Sequence, residues 1–407
     1  MSIVAADNVW ILTSTAFVLL MSMPALALFY GGLTKTKSML NTMMMVVVAF
    51  CITSFLWLAY GYSLSFGDDL GGVIGSLKYL FLNGISPKDA APAAENLYHY
   101  LFIFFQMTFA AITVALMAGA FVERMKFGAW MLISALWATF VYFPVAHWIW
   151  GGGFLSDMGT LDFAGGLVVH ETSGISALVG AIMLGRRKEA LMQPSSLPLV
   201  AIGTGLLWFG WFGFNGGSAL GMNAQAVSAA FVTTIAAFIG GFVWMGLEWI
   251  KYKKPTSLGL FTGIIAGLAT ITPASGFVDV FGAMVIGVLA ALICFWAVVS
   301  LKNRFKYDDS LDVFGVHGVG GITGAILLAL FAKPDVADVK GLFYGGGLSQ
   351  MWPQLAGIAI VGIYSVVLTV VIFKITDKII GLRVEKDEEV EGLDEAIHGE
   401  KAYTREF

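Results

Sequence analysis

His170 and His317 are two of only five histidines in a chain of 407 residues, and both lie inside long apolar stretches. Their settings are Gly165-Gly166-Leu167-Val168-Val169-His170 and Phe314-Gly315-Val316-His317-Gly318. Ionisable side chains inside a membrane are costly and mark the paths of ions or polar solutes. A neutral imidazole has one donor and one acceptor nitrogen, so two of them can share one hydrogen along a narrow path. Such a pair offers a small polar solute both a donor and an acceptor. The competing reading is two unrelated core histidines, each bonded to a backbone carbonyl.

Other residues gather round these two. Asp162 and Asp312 stand just before the apolar stretches that hold the histidines. A carboxylate at that place caps free N–H groups and meets the positive end of a helix; direct cation binding is the alternative. Gly315, Gly318, Gly321 and Gly324 recur every three residues, which lets helix backbones approach closely and would bring His317 to a neighbour. Phe105 and Phe109 are four apart, on one helical face. Trp150 precedes Gly151-Gly152-Gly153, and Trp211, Phe212 and Phe214 precede Ser218. Interfacial aromatic belts account for many such rings. The sharper alternative is a cage whose ring faces attract a cation, closed by a hydroxyl. Glu171 follows His170, about 100° around the helix, and is expected to be either protonated or bonded to a neighbouring helix.

The elements that position these groups follow from composition. The chain is 58% hydrophobic and 12% charged, about half the charge of an ordinary soluble domain. Apolar runs long enough to cross a hydrocarbon core of ~30 Å recur along it, and spanning runs of this kind are helices because the backbone must satisfy itself. An all-α polytopic fold is expected, with spans at 9–33, 40–65, 97–121, 127–149, 163–185, 197–217, 226–250, 258–273, 277–301, 313–332 and 352–380. That makes eleven spans in a lipid bilayer, joined by short loops. Residues 1–380 form the transport domain, and the acidic, polar residues 381–407 are the one sizeable segment outside the membrane. The first apolar run reaches Leu33, too long for a signal-peptide core, and no basic region precedes it. Cys51 and Cys294 lie in apolar runs and read as small buried hydrophobes. No metal-ligand spacing or cofactor motif is present, and no nucleic-acid partner is expected.

Alternate loops hold thirteen lysines and arginines on one side, including Lys35, Arg124, Arg187, Lys254 and Lys302, against Lys78, Lys88, Lys333 and Lys340 on the other. The positive-inside rule puts the amino terminus outside and the tail in the cytoplasm. Span one ends Phe29-Tyr30-Gly31-Gly32 and span six ends Phe214-Asn215-Gly216-Gly217, so two inverted five-helix repeats, about 9–185 and 197–332, are expected before the final span. Sites in such folds lie near the midplane, between the repeats.

Taken together these residues resemble the Amt/Mep/Rh ammonium transporters, and the bacterial Amt proteins most. The resemblance runs over essentially the whole chain. It is carried by Ala27-Leu28-Phe29-Tyr30-Gly31-Gly32-Leu33, Asp162-Phe163-Ala164-Gly165-Gly166, Gly210-Trp211-Phe212-Gly213-Phe214-Asn215, Asp312-Val313-Phe314-Gly315-Val316-His317-Gly318 and Gly381-Leu382-Arg383-Val384. The resemblance implies a homotrimer in a bacterial inner membrane, with one pore per subunit and no cofactor. It implies an outer ammonium site of Phe109, Trp150 and Ser218. Below this it implies gate rings Phe109 and Phe214 with Phe105 beside them, then His170 and His317 lining the middle of the pore, with Asp162, Trp211 and Asp312 as structural neighbours. The tail is similar to the family's segment that binds a PII-type signalling protein. Glu171 departs from the pattern, since several relatives have an uncharged residue there.

Two other functions compete with transport. One is an ammonium sensor that signals through the tail. The other is a membrane redox enzyme whose haem is ligated by His170 and His317, which would need a wide cavity between them.

Overall fold

The computed structural model describes residues 3–189 and 193–403. Among them, ten helical segments are long and apolar enough to span a membrane: Ala5–Leu33, Thr36–Phe66, His99–Phe121, Phe127–Asp157, Gly166–Leu184, Leu197–Gly217, Ala224–Tyr252, Val280–Phe305, Phe314–Phe331 and Met351–Ile380. The eleventh expected span, 258–273, is the helix Ser257–Ile271 of 15 residues. At 1.5 Å per residue it is about 22 Å long, shorter than a hydrocarbon core. Lipid-facing thickness is not required of it, because its second half is buried in the protein.

Helix starts follow local chemistry. Ser196, Asn223, Thr256 and Asp279 each accept a hydrogen bond from an N–H three residues on, as good N-caps do. Six π-helical turns interrupt the spans, at Met21–Ala25, Trp57–Gly61, Ala138–Tyr142, Gly166–Glu171, Ala297–Leu301 and Phe314–Gly318. Both histidines lie in such turns, which concentrate at functional sites.

The glycine stripe makes the contact expected of it. A Cβ on Gly174 would lie 2.2 Å from the Gly318 nitrogen, and one on Gly321 would lie 2.3 Å from the Gly166 carbonyl oxygen. Only hydrogen fits in either place, so each π-helical turn can pack against the helix that follows the other. This is how the fold joins His170 to His317.

The expectation of uniformly short loops is corrected at 67–98. That stretch holds two antiparallel hairpins, Asp69–Leu70 with Ile74–Gly75 and Ala90–Ala91 with Ala94–Tyr98. It covers the end of the bundle opposite the basic loops.

At the basic end, two of the orienting arginines prove to be structural. Arg124 is fully buried and donates to the carbonyls of Gly185 and Asp308 and to the Ser310 hydroxyl. Arg187 pairs with Asp308 at 2.8 Å and with Glu123 at 3.2 Å. Burial alone would raise the Asp308 carboxyl, but hydrogen bonds from Arg187 and the charges of Arg124 and Arg187 outweigh it and hold it at about 2.

The tail folds onto this end. Leu382 and Val384 exchange backbone bonds with Lys126 and Arg124. Two short helices follow, Lys386–Glu391 and Leu393–His398. Glu389 accepts from the Lys188 N–H at 2.6 Å and pairs with Arg383 at 2.7 Å. Asp394 accepts from the N–H groups of Leu40 and Asn41 at 3.0 and 2.7 Å, capping the helix Met39–Leu56 from outside. Of the apolar side chains in the tail, Leu393 is buried and Ile397 half-buried, whereas Tyr403 is exposed. The tail thus contacts Arg186 and Lys188, and also Lys37 and Asn41.

Candidate functional site

The far end of the bundle opens into a chamber of about 250 Å³ whose lining includes Phe109, Trp150 and Ser218, with Gln106, Phe163 and Leu220 beside them. Trp150 ends its helix and donates its ring N–H to the Asp162 carbonyl at 2.8 Å. The Ser218 hydroxyl donates to the Phe214 carbonyl at 2.8 Å, which leaves its oxygen free to accept. Ring faces, an amide and an acceptor hydroxyl are what a small N–H cation would meet there.

Phe109 and Phe214 close the floor of the chamber. Their rings stack 4.2 Å apart at 17°. Phe105 packs edge-on against Phe109 at 5.0 Å and against Gly217. It supports the upper ring from the side and is not part of the chamber wall.

Below the rings lies His170, 6.1 Å from Phe214 by ring centroids and stacked on Trp211 at 5.7 Å. Trp211 is fixed by a 2.9 Å bond from its ring N–H to the Thr272 hydroxyl. The Nδ1 atoms of His170 and His317 are 3.2 Å apart. One nitrogen donates and the other accepts, so one hydrogen lies between them. The His170 Nε2 has no hydrogen-bond partner among the described residues. It faces a passage walled by Ile112, Leu207, Ile265 and Val169, with free space of about 10 Å³, near the least that one water-sized molecule needs. Direct contact between the two rings leaves no room for a macrocycle and overturns the haem alternative. No group of three potential metal ligands is present among the described residues.

Beyond His317 the passage widens into a vestibule of about 430 Å³ at the basic end, with Arg186, Lys302, Lys306 and Asp312 in its wall.

Two aspartates hold the π-helical turns in place. Both Asp162 oxygens are used: Oδ1 accepts from Gly165 and Gly166, Oδ2 from Leu167 and Val168, at 2.6 to 3.0 Å. The capping role expected of Asp162 is met four times over. For Asp312 the expectation is corrected. Its side chain pairs with Lys302 at 2.6 Å, and the cap on the second turn is Asp309, whose Oδ2 accepts from Phe314 at 2.8 Å. Asp309 lies eight residues before His317, as Asp162 lies eight before His170, and that shared spacing was the signal available in the sequence. Burial pushes the Asp309 carboxyl up to about 6, against the charge of Lys302.

Glu171 is fully buried, and neither oxygen has a hydrogen-bond partner among the described residues. It points toward Gly362 of the helix Met351–Ile380, where a Cβ would lie 3.0 Å from Oε1. A bond to a neighbouring helix, one of the two expectations, is not made.

Residues 9–403 match the Ammonium Transporter Family. An ammonium transporter of Aquifex aeolicus is 50% identical over 398 residues, which is 98% of this chain and 93% of the relative. Ammonium transporter Amt1 of Archaeoglobus fulgidus is 46% identical, covering 97% and 98%. Among solved structures, Mep2 of Saccharomyces cerevisiae superposes with a TM-score of 0.88 at 36% identity, over 95% of this chain and 89% of that one. A protein described as a sensor Amt superposes at 0.87 with 29% identity, over 96% and 98%. The two curated relatives are named ammonium transporters, and none of the four is named as an enzyme. A full-length match of this kind agrees with a polytopic bundle whose paired histidines line a narrow apolar passage: the chain belongs to the ammonium transporter family and carries ammonium across a membrane.

Proposed function

We propose that ammonium is recruited in the chamber of Phe109, Trp150 and Ser218, gives up its proton there, and passes His170 and His317 as ammonia while the proton crosses separately. The observation that carries this reading is the 3.2 Å contact of the two imidazoles below a closed, stacked pair of rings. Bare ammonium at the centre of the membrane costs on the order of 20 kcal/mol in Born energy. Ring faces return ~2 kcal/mol per desolvated contact, enough to concentrate the ion at the entrance and far too little to carry it through. Neutral ammonia meets no such barrier, and the imidazole pair supplies it with a donor and an acceptor.

The charged loops support an orientation with the chamber outside and the basic vestibule in the cytoplasm of a bacterial inner membrane. The working unit is a homotrimer with one pore per subunit. The docked tail offers a PII-type protein a folded surface beside the vestibule. The sensor reading uses the same chamber and tail but has no need of a passage below the rings.

Purified protein in a supported membrane, given ammonium, methylammonium and potassium in turn, tests the reading. Currents are expected for the first two and none for potassium. Ammonium uptake without current would overturn the separate transfer of the proton, and absence of uptake would overturn the pathway.

A further inference from the structure

Trp150 sits at the end of the helix Phe143–Trp150, and the three glycines after it have no side chains with which to hold this corner. The corner is held from outside by the hairpin at 67–75. The Trp148 ring N–H donates to the Val73 carbonyl at 2.7 Å, and the Phe154 N–H donates to the Gly72 carbonyl at 2.9 Å. The third tie is chemical in another way. His147 is fully buried, one helical turn before Trp150, and both of its nitrogens face acceptors. Nδ1 is 3.0 Å from the Ser65 carbonyl and Nε2 is 2.8 Å from Asp69 Oδ1.

The ring is held between two acceptors, the Ser65 carbonyl and the Asp69 carboxylate, and a hydrogen on Nε2 makes the bond to Asp69 charge-assisted. Asp69 has the matching character: the hydrogen bond from His147, and then that from Gly72, lower its carboxyl below the usual range. Its neighbour Asp68 is spent on Lys78 at the surface, 2.9 Å away. Gly151 lets the arrangement close, since a Cβ there would lie 2.0 Å from the Ser65 oxygen.

We infer that Asp69 is a positioning residue for the cation chamber, acting through His147 on the corner that carries Trp150. Asp69 touches no part of the passage. It completes a charge-assisted bond on the back of the helix whose last residue lines the chamber. This rests on the reading of Phe109, Trp150 and Ser218 as the recruitment site.

The test is methylammonium uptake by full-length protein in liposomes, comparing wild type with Asp69→Ala, Asp69→Asn and Trp150→Leu. Asp69 is partly exposed, and thermal melting of each variant checks that it is folded. Asp69→Ala should raise KM about three- to tenfold, the scale of one net hydrogen bond, with Vmax unchanged. Asp69→Asn, whose amide can donate to an unprotonated Nε2, should recover most of that rise. An unchanged KM in Asp69→Ala, a loss confined to Vmax, or an Asn variant as impaired as the Ala variant would overturn the inference. If Trp150→Leu raises KM and Asp69→Ala does not, the chamber stands and this inference alone fails. If Trp150→Leu is also silent, the reading of the chamber fails with it.

Discussion

Asp309 stands to His317 as Asp162 stands to His170: eight residues earlier in the chain, buried, and bonded to the N–H groups that open a π-helical turn. The two differ in completeness. Asp162 satisfies four N–H groups with two oxygens, whereas Asp309 leaves Oδ1 unbonded among the described residues.

Removing the Asp162 cap exposes four donors in a dry interior. Asp162→Ala should therefore destabilise the protein by about 2 kcal/mol or more, at or above the top of the range for one N-cap. Asp312→Ala breaks one mostly buried ion pair with Lys302 and should cost less than Asp162→Ala, because no helix N–H group loses its acceptor. Thermal melts in detergent rank the two, and the reverse order would return the capping role to Asp312.

His170→Ala and His317→Ala should each abolish or alter ammonium flux while the fold persists, because each removes one half of a shared hydrogen bond in the narrowest part of the passage. Flux and selectivity at wild-type levels in both single variants would remove the pair from the pathway.

In the chamber, Trp150→Leu combined with Ser218→Ala should raise the ammonium concentration needed for half-maximal flux by about a hundredfold, one desolvated ring contact and one hydrogen bond being lost. Melting temperature should change little, since both groups line open space. An unaltered concentration dependence would count against recruitment there.

Glu171→Leu is expected to raise the melting temperature. A buried carboxyl with no bonded partner carries a desolvation cost that an apolar side chain of similar size does not. A lower melting temperature would mean that Glu171 has a partner in the assembled protein.

Ending the chain after Gly381 should leave every span inserted, because the last one stops at Ile380. The variant should lose some stability, since the N–H groups of Leu40 and Asn41 lose their acceptor, Asp394. A pull-down with the PII-type partner should fail. Binding and inhibition equal to those of the full chain would reduce the tail to a structural brace.

Much of this was legible in the residues. Apolar runs gave the spans to within a few positions, as at 197–217, because the length needed to cross a bilayer is a hard constraint. The glycine stripe foretold the contact at Gly318 and Gly174. The π-helical turns were not legible, since an extra residue in a turn leaves no mark on hydropathy. Ile112, Leu207 and Ile265 line the passage, yet as residue types they match those facing lipid. Gln106 was overlooked between Phe105 and Phe109, although a lone amide in an apolar helix is itself a signal. Asp312 lies nearer the helix start, but Asp309 shares with Asp162 the eight-residue spacing to its histidine, and a position-by-position comparison of the two halves picks it out.

The bond from the Asn41 N–H to Asp394 joins residues 353 positions apart. At roughly 5–20 residues per second of synthesis, roughly 20–70 s separate the emergence of the helix start from that of its cap. The second span therefore enters the membrane and meets its neighbours with its first turn open, and the closing contact is made only after the span Met351–Ile380 has been synthesised. A chain that has not yet reached Asp394, or that is cut before it, can hold the bundle but not this clasp.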